Sequence, residues 1–418
     1  MHDSSSSPLP VLDGLRIVEA SAFVAAPLGG MTLAQLGADV IRIDPPGGGL
    51  DYRRWPVTED NTSLFWCGLN KGKRSVVIDL ASPEGRELAM DLICAPGPDA
   101  GMLLTNFPPR GFLSYEDLSA RRADLIQLTL SGDRLGGSAV DYTVNPRMGI
   151  PYITGSGAAD DVVNHVLPAW DLVCAYQAAF AIVAAVDRRR RTGEGAQLQL
   201  ALSDVAFTTL SNLGVLAEAE LLGQDRPSIG NHIYGAFGRD FATVDSQRIM
   251  VAAISLGQWK ALVKACDIEP AIGALEQRTG LDFGDEAQRY EARDAIAALL
   301  EPWFAARPQA EAERVLEQHK VCWGRYSTAR ELLAADARVS AANPVFERID
   351  TPGVGEHLSA GAAVRVGGME REATGPAPLL GHHTDEVLHE VLGLDSAAIG
   401  RLHDARVVAG PQRDPTLG

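Results

Sequence analysis

Asp171 closes the stretch Asn-His-Val-Leu-Pro-Ala-Trp-Asp that begins at Asn164, and a 15-residue apolar run, Leu172 to Val186, follows it. A carboxylate at the mouth of a buried helix is costly unless something satisfies it or uses it. One use is nucleophilic: in a partly dry, preorganised site a carboxylate attacks an activated acyl carbon. The other is structural, because Asp is among the best residues for holding the free N–H groups of a helix start. Position alone favours the cap, and the two readings stay open at this point.

Other chemistry-bearing residues narrow the field. Gly68 to Ser75 (GLNKGKRS) resembles a phosphate loop, but it is one residue short and Arg74 stands where Ser or Thr should follow the Lys. What survives is a cationic cluster, Lys71, Lys73 and Arg74, that either holds phosphates or is a solvated turn. Gly47-Gly48-Gly49 lacks the dinucleotide-binding spacing. His382-His383 precedes Thr384, which reads as a helix cap, and no Cys/His/Asp group has metal-ligand spacing. No GxSxG elbow is present for serine chemistry. The five cysteines are scattered singly without CxxC, which suits reduced thiols in a cytoplasm, and Cys174 among its apolar neighbours reads as core.

These residues must be positioned by elements. Short apolar runs at Leu15–Ala20, Val40–Ile43, Ser75–Leu80, Met102–Asn106, Leu125–Leu130 and Gln197–Ala201 read as strands. Helices are expected at Leu28–Leu36, from Pro83 to Cys94, at Tyr115–Ala123, through Leu172–Val186, and from a Ser203 cap toward Leu222. Strand–helix alternation means an α/β fold with a parallel sheet covered on both faces. After Gly223 the pattern changes: a strand at Ile249–Ile254 and helices near Gln258–Ala265, Ala292–Phe304 and Ala310–His319 suggest a smaller domain. The expected layout is a disordered Ser-rich tail over residues 1–10, a large domain over 11–222, a small α/β domain over 223–326, and a return to the large domain over 327–418, with a helix at Thr384–Leu392.

The 418 residues carry a formal net charge of −17, which argues against nucleic acid or an anionic membrane surface as a general partner. The Leu172–Val186 run is too short for a membrane span and long enough for a buried helix. The Arg188–Arg191 cluster after it suits the C-terminal end of that helix.

Several ordered blocks carry a resemblance: Leu12–Pro46, Asn70–Asp79 (NKGKRSVVID), Asn106–Gly111 (NFPPRG), Arg191–Asp204 (RTGEGAQLQLALSD) and Pro376–Leu394. Together they resemble the class III CoA-transferases. The resemblance implies a discontinuous large Rossmann-like domain with a smaller α/β domain, an interlocked homodimer, and CoA as part of the substrate with no permanently bound cofactor or metal. In that family an Asp at the start of the helix before the TGxG turn accepts the acyl group, and Asp171 falls there. Asn106 and Phe107 match a CoA-contacting segment, and Lys73, Arg74 and Arg42 lie in further family blocks as candidate CoA ligands.

Gly48–Pro56, Asp141–Pro146 (DYTVNP), Val162–Asp171 and Gly230–Phe241 resemble one branch, which moves CoA between the two carboxyl groups of mesaconate and serves glyoxylate assimilation in the 3-hydroxypropionate cycle. Within those blocks Arg53, Arg54, His165, Tyr234 and Arg239 are candidates for holding the substrate's free carboxylate. A glycine-rich loop of the formyl-CoA transferases is absent, which weakens oxalate or formate chemistry. Transfer to a separate carboxylic acid is the alternative. Racemisation of a 2-methylacyl-CoA is disfavoured, because in those relatives a His precedes the Asp, whereas here Trp170 does.

Overall fold

The computed structural model describes residues 10–157, 161–369 and 374–415, so the expected tail lies outside the described residues except for Pro10. The chain divides into two compact units. The first holds the residues up to Met148, Leu167–Gly214 and Ala337 onward; the second holds Gly149–Val166 and Val215–Asp336.

The first unit is built on a seven-stranded sheet: β1 (Arg16–Ala20), β2 (Asp39–Asp44), β3 (Arg74–Ile78), β4 (Met102–Thr105), β5 (Ile126–Ser131), β6 (Ala196–Ala201) and the C-terminal β12 (Val408–Ala409). Their order is β12-β3-β2-β1-β4-β5-β6, parallel throughout except for β12, which runs antiparallel to β3. Val18 of β1 sits between Ile41 of β2 and Leu103 of β4. The central strands are apolar almost end to end because helices cover both faces, while edge strand β6 alternates between half-buried and exposed residues. On one face Leu88 and Leu92 of the Pro83–Ile93 helix and Val387 and Leu388 of the Thr384–Leu392 helix pack on Val18, Ile41, Ile43 and Val76.

On the other face the Ala169–Thr192 helix lies against the Ala25–Ala34 helix. Small residues permit the approach: a Cβ at Gly29 would stand 3.1 Å from the carbonyl oxygen of Ala175. The helix runs 24 residues, past the apolar run expected from sequence, because Arg188–Thr192 continue it to a left-handed Gly193. It is therefore long and apolar enough by composition to cross a bilayer, which corrects the estimate made from the shorter run. Its arginines are engaged: Arg189 is buried on the carbonyls of Ala100 and Gly101, Arg190 pairs with Asp99 and Arg191 with Asp187.

Two expected caps fall elsewhere. The helix expected to start at Ser203 runs Leu202–Asn212 from Ala201 and stops at Gly214, whose φ of +74° ends it before a separate helix, Val215–Leu222. Thr384 does not cap its helix. Its Oγ1 accepts from Val77 N–H and donates to the Ala409 carbonyl, tying β3 to β12. A hairpin, β10 (Phe346–Thr351) with β11 (Gly355–Ala360), completes the unit.

The second unit has an antiparallel sheet, β7 (Phe237–Ala242), β8 (Arg248–Ala253) and β9 (Cys322–Arg325), in the order β7-β8-β9. Helices cover it around Phe237, Trp259, Phe283, Phe304 and Leu316. Phe241 and Phe304 stack with ring centroids 4.6 Å apart. Strand β7 escapes a reading by apolar period because Gly238, Arg239 and Asp240 occupy its middle.

Candidate active site

The site lies within the first unit, beyond the C-terminal ends of its parallel strands, where open α/β sheets place their ligands. A cavity of about 430 Å³ is lined there by Phe23 and Ala25 after β1, Asn106 after β4, Leu130 and Ser131 at the end of β5, and Asp171.

Asp171 is the third residue of the Ala169–Thr192 helix. It is not the cap. Pro168 holds that position and makes no capping hydrogen bond. The helix start is instead satisfied by Asp141, the first residue of the Asp141–Arg147 helix, whose Oδ2 accepts Trp170 N–H at 2.7 Å and Asp171 N–H at 3.2 Å. One turn on, Asn145 Oδ1 accepts Trp170 Nε1–H at 3.1 Å. The spacing of four residues puts both acceptors on one face of that helix. Asp141 sits in the DYTVNP block, but a short polar stretch gave no local sign that its carboxylate would cap a helix 29 residues away.

The consequence is electrostatic. Two N–H groups that would have stabilised charge on Asp171 serve Asp141 instead. Burial and the neighbouring Asp141 charge push the Asp171 carboxyl up to about 7. A raised carboxyl is a better nucleophile when ionised, and one near 7 is still substantially ionised at neutral pH. Cys174 lines the same cavity, and burial together with the Asp171 charge pushes its thiol up to about 12, so it stays protonated and inert.

The turn after β1 is pinned from two sides. Asn106 accepts Ala22 N–H at 3.0 Å and donates to Ala22 O at 2.8 Å, while Asp51 accepts Phe23 N–H at 3.0 Å. Phe23 needs this hold, since its φ of +70° is unfavourable for a bulky side chain. Asn106 therefore lines the cavity with its amide committed to the loop. Phe107 packs against the core with its N–H given to Thr105 Oγ1.

Among the candidate carboxylate clamps, Arg54 lines the Asp171 cavity. Its guanidinium lies 5.7 Å from the Phe23 ring centre and 5.2 Å from that of Phe65, and among the described residues no carboxylate pairs with it. Arg53 is exposed beside it. His165, Tyr234 and Arg239 belong to the second unit. Tyr234 donates its hydroxyl to Glu218 under the Arg226 guanidinium, and Arg239 pairs with Glu301 at 3.4 Å.

Two candidate CoA ligands lie inside the protein. Arg42 is 1 % and Lys73 3 % exposed, and both are spent inside the protein. Arg42 meets Asp44, Asp51 and Glu19 at 3.0, 3.2 and 3.3 Å, and Lys73 Nζ meets Glu19 at 2.9 Å. A ligand cannot reach them without breaking this network. Arg74 pairs with Asp39, Glu386 and Glu390 at the surface. Among the described residues no group of three or more His, Cys, Asp or Glu side chains could hold a metal ion.

The fold and this arrangement define a family, and comparison with known proteins agrees. The model of CoA-transferase family III matches residues 12–384, and the chain belongs to that family of enzymes. It is 56 % identical over 404 residues to the 2-methylfumaryl-CoA isomerase of Chloroflexus aurantiacus, covering 96 % of this chain and 99 % of that one. A succinyl-CoA–D-citramalate CoA-transferase of the same organism is 27 % identical, covering 97 % of this chain and all of that one. A solved CAIB/BAIF family protein from Brucella suis superposes with a TM-score of 0.74 at 25 % identity, over 92 % of this chain and all of that one.

Proposed function

We propose that the protein moves CoA between the two carboxyl groups of mesaconate, with Asp171 as the acyl acceptor. The observation that carries this is the basic, half-buried Asp171 carboxylate facing a cavity that also holds the uncompensated Arg54, in a chain 56 % identical to a 2-methylfumaryl-CoA isomerase.

Asp171 attacks the thioester carbonyl carbon, the C–S bond breaks, and CoA thiolate leaves with the electron pair, forming a mixed anhydride. The thiolate then attacks the Asp171 carbonyl, giving an aspartyl-CoA thioester and freeing the substrate carboxylate. The other carboxylate attacks that thioester, expelling thiolate again. Thiolate attack on the substrate carbonyl finally restores Asp171. Arg54 supports this sequence as the cation that retains the dicarboxylate between half-reactions, with Arg53 next to it at the surface. His165, Tyr234 and Arg239 are secondary candidates for the same task. Asn106 acts on the acyl-CoA through the loop it holds, together with Phe107 and Arg74 near the surface.

The racemases considered above pair the Asp with a His, and among the described residues no His lines the cavity. We further assign a homodimer in a cytoplasmic setting. The long helix exposes Tyr176, Phe180 and Val183 at spacings of four and three, an apolar stripe that a second copy would cover, and all five cysteines are free thiols.

Turnover of mesaconyl-CoA in the presence of isotope-labelled free mesaconate tests the intramolecular course. Product thioester should stay unlabelled; extensive label would establish transfer to a separate acid instead. Hydroxylamine added during turnover should leave a hydroxamate on Asp171, and its absence would remove the covalent route.

A further inference from the structure

We infer that Asp141 is a positioning residue for acyl transfer: its carboxylate fixes the start of the Asp171 helix and drives negative charge off Asp171 onto the departing sulfur. This rests on the reading of Asp171 as acyl acceptor.

A helix start needs only a neutral oxygen, and Ser, Thr or Asn supplies one. Here a carboxylate does the work, 1 % exposed, at the wall of the cavity that contains Asp171. Only one of its oxygens is used. Oδ2 accepts the N–H groups of Trp170 and Asp171, whereas Oδ1 is buried and has no hydrogen-bond partner among the described residues. A half-satisfied buried carboxylate beside a second carboxylate is an expensive cap. Among the described residues neither Asp141 nor Asp171 forms an ion pair, so the repulsion between them goes uncompensated. The other titratable or charged side chains lining the cavity are Arg54, Tyr142 and Cys174.

That cost is recovered by the reaction. Before attack, negative charge sits on Asp171 beside Asp141. As the Asp171 oxygen bonds to the thioester carbon and the C–S bond breaks, the same charge leaves on the CoA sulfur, and Asp171 becomes a neutral acyl group. Net charge is unchanged, but Asp171 no longer carries it beside Asp141. The aspartyl thioester is neutral in the same way, so both covalent states benefit. The two hydrogen bonds to consecutive N–H groups meanwhile fix the backbone at the nucleophile, so its side chain leaves from a constant place.

Asp141→Asn separates charge from capping, because the amide oxygen can still accept both N–H groups. A like-charged neighbour is worth on the order of one pKa unit, or tenfold in the equilibrium that discharges Asp171. The expected variant therefore keeps KM within about twofold while kcat, read above about pH 8 where Asp171 is ionised in both enzymes, falls about threefold, a part of that tenfold. Its Asp171 titration, followed by carboxyl 13C NMR in the free enzyme, moves to lower pH. Asp141→Glu, which keeps the charge, should hold that titration near the wild-type position. An unmoved titration in Asp141→Asn with unchanged kcat overturns the inference. So does a loss of activity matched by lowered thermal stability with the titration unmoved, since that is a purely structural cap. The hydroxylamine adduct on wild-type Asp171 keeps the two readings apart. Its presence alongside an unmoved titration refutes the Asp141 role alone, and its absence refutes the acyl-acceptor reading and the charge-driving role with it.

Discussion

Two groups of acidic side chains lie at the same end of the central sheet and are treated in opposite ways. Glu19, Asp44 and Asp51 are fully buried, and each meets a cation: Arg42 touches all three, and Lys73 joins Glu19. Even there burial is felt, lowering Lys73 to about 8 against the pull of Glu19 and raising Asp44 against that of Arg42. Asp141 and Asp171 are less numerous and face a cavity, yet among the described residues no cation pairs with either. The compensated cluster is architecture. Through Asp51 it also holds the Phe23 turn that forms one wall of the cavity. The uncompensated pair stores electrostatic repulsion where a reaction can release it. Paired buried charge rigidifies, and unpaired charge at a cavity remains available for chemistry.

The sharpest way to break this comparison is Asp171→Ala. Turnover of mesaconyl-CoA should fall by about 10⁴-fold or more, in keeping with loss of a covalent nucleophile, while far-UV circular dichroism stays native. Retained turnover would place Asp171 with the structural acids. Arg42→Met should do the reverse, leaving Asp44 and Asp51 without a cation and Glu19 with Lys73 alone, and costing about 3–5 kcal/mol in urea unfolding. A loss under about 1 kcal/mol would show that the cluster does not carry the fold.

Arg54→Ala removes the cavity's own cation. A charged hydrogen bond to a substrate carboxylate is worth about 1.5–3 kcal/mol, so kcat/KM should drop by about 10- to 150-fold. Arg54→Lys should recover part of it, and unimpaired kcat/KM in Arg54→Ala would move the clamp elsewhere.

A further effect is on stability against pH. Asp171 has a folded-state value near 7, above its ordinary 3.8, so the folded chain holds that proton more tightly. Its contribution to stability is fully present below about pH 4 and is lost as pH rises through about 7. Asp171→Asn cannot lose it. The variant's melting temperature relative to wild type should therefore climb between those limits and level off above them. A flat difference would mean that Asp171 is no more strained than the compensated acids.

Much of the frame was legible in the sequence because it is local. Strands β1 to β6 announce themselves as short apolar runs, and Pro83 marks a helix start. Strand β7 and the β10–β11 hairpin were not legible, since their residues carry no apolar period. The burial of Lys73 and Arg42 was hidden for a related reason. A cation in a polar sequence context looks solvent-facing, and only the packed sheet reveals the acids around it. Among the clamp candidates, Arg54 is distinguished from Arg239 by what each finds nearby: two aromatic rings in one case, Glu301 in the other.

By itself the sequence determined the parallel α/β frame and brought one carboxylate, Asp171, to the mouth of a long apolar helix. Periodicity and helix-boundary chemistry depend on neighbours along the chain, so they can be read without a structure. Which carboxylate caps that helix was decided only by tertiary structure, because Asp141 reaches Trp170 and Asp171 across 29 and 30 positions. Burial, together with the charge on that neighbour, raises the basicity of Asp171. Burial and a neighbouring charge are properties of packing, and they turned an apparent helix cap into a group with the basicity of a nucleophile.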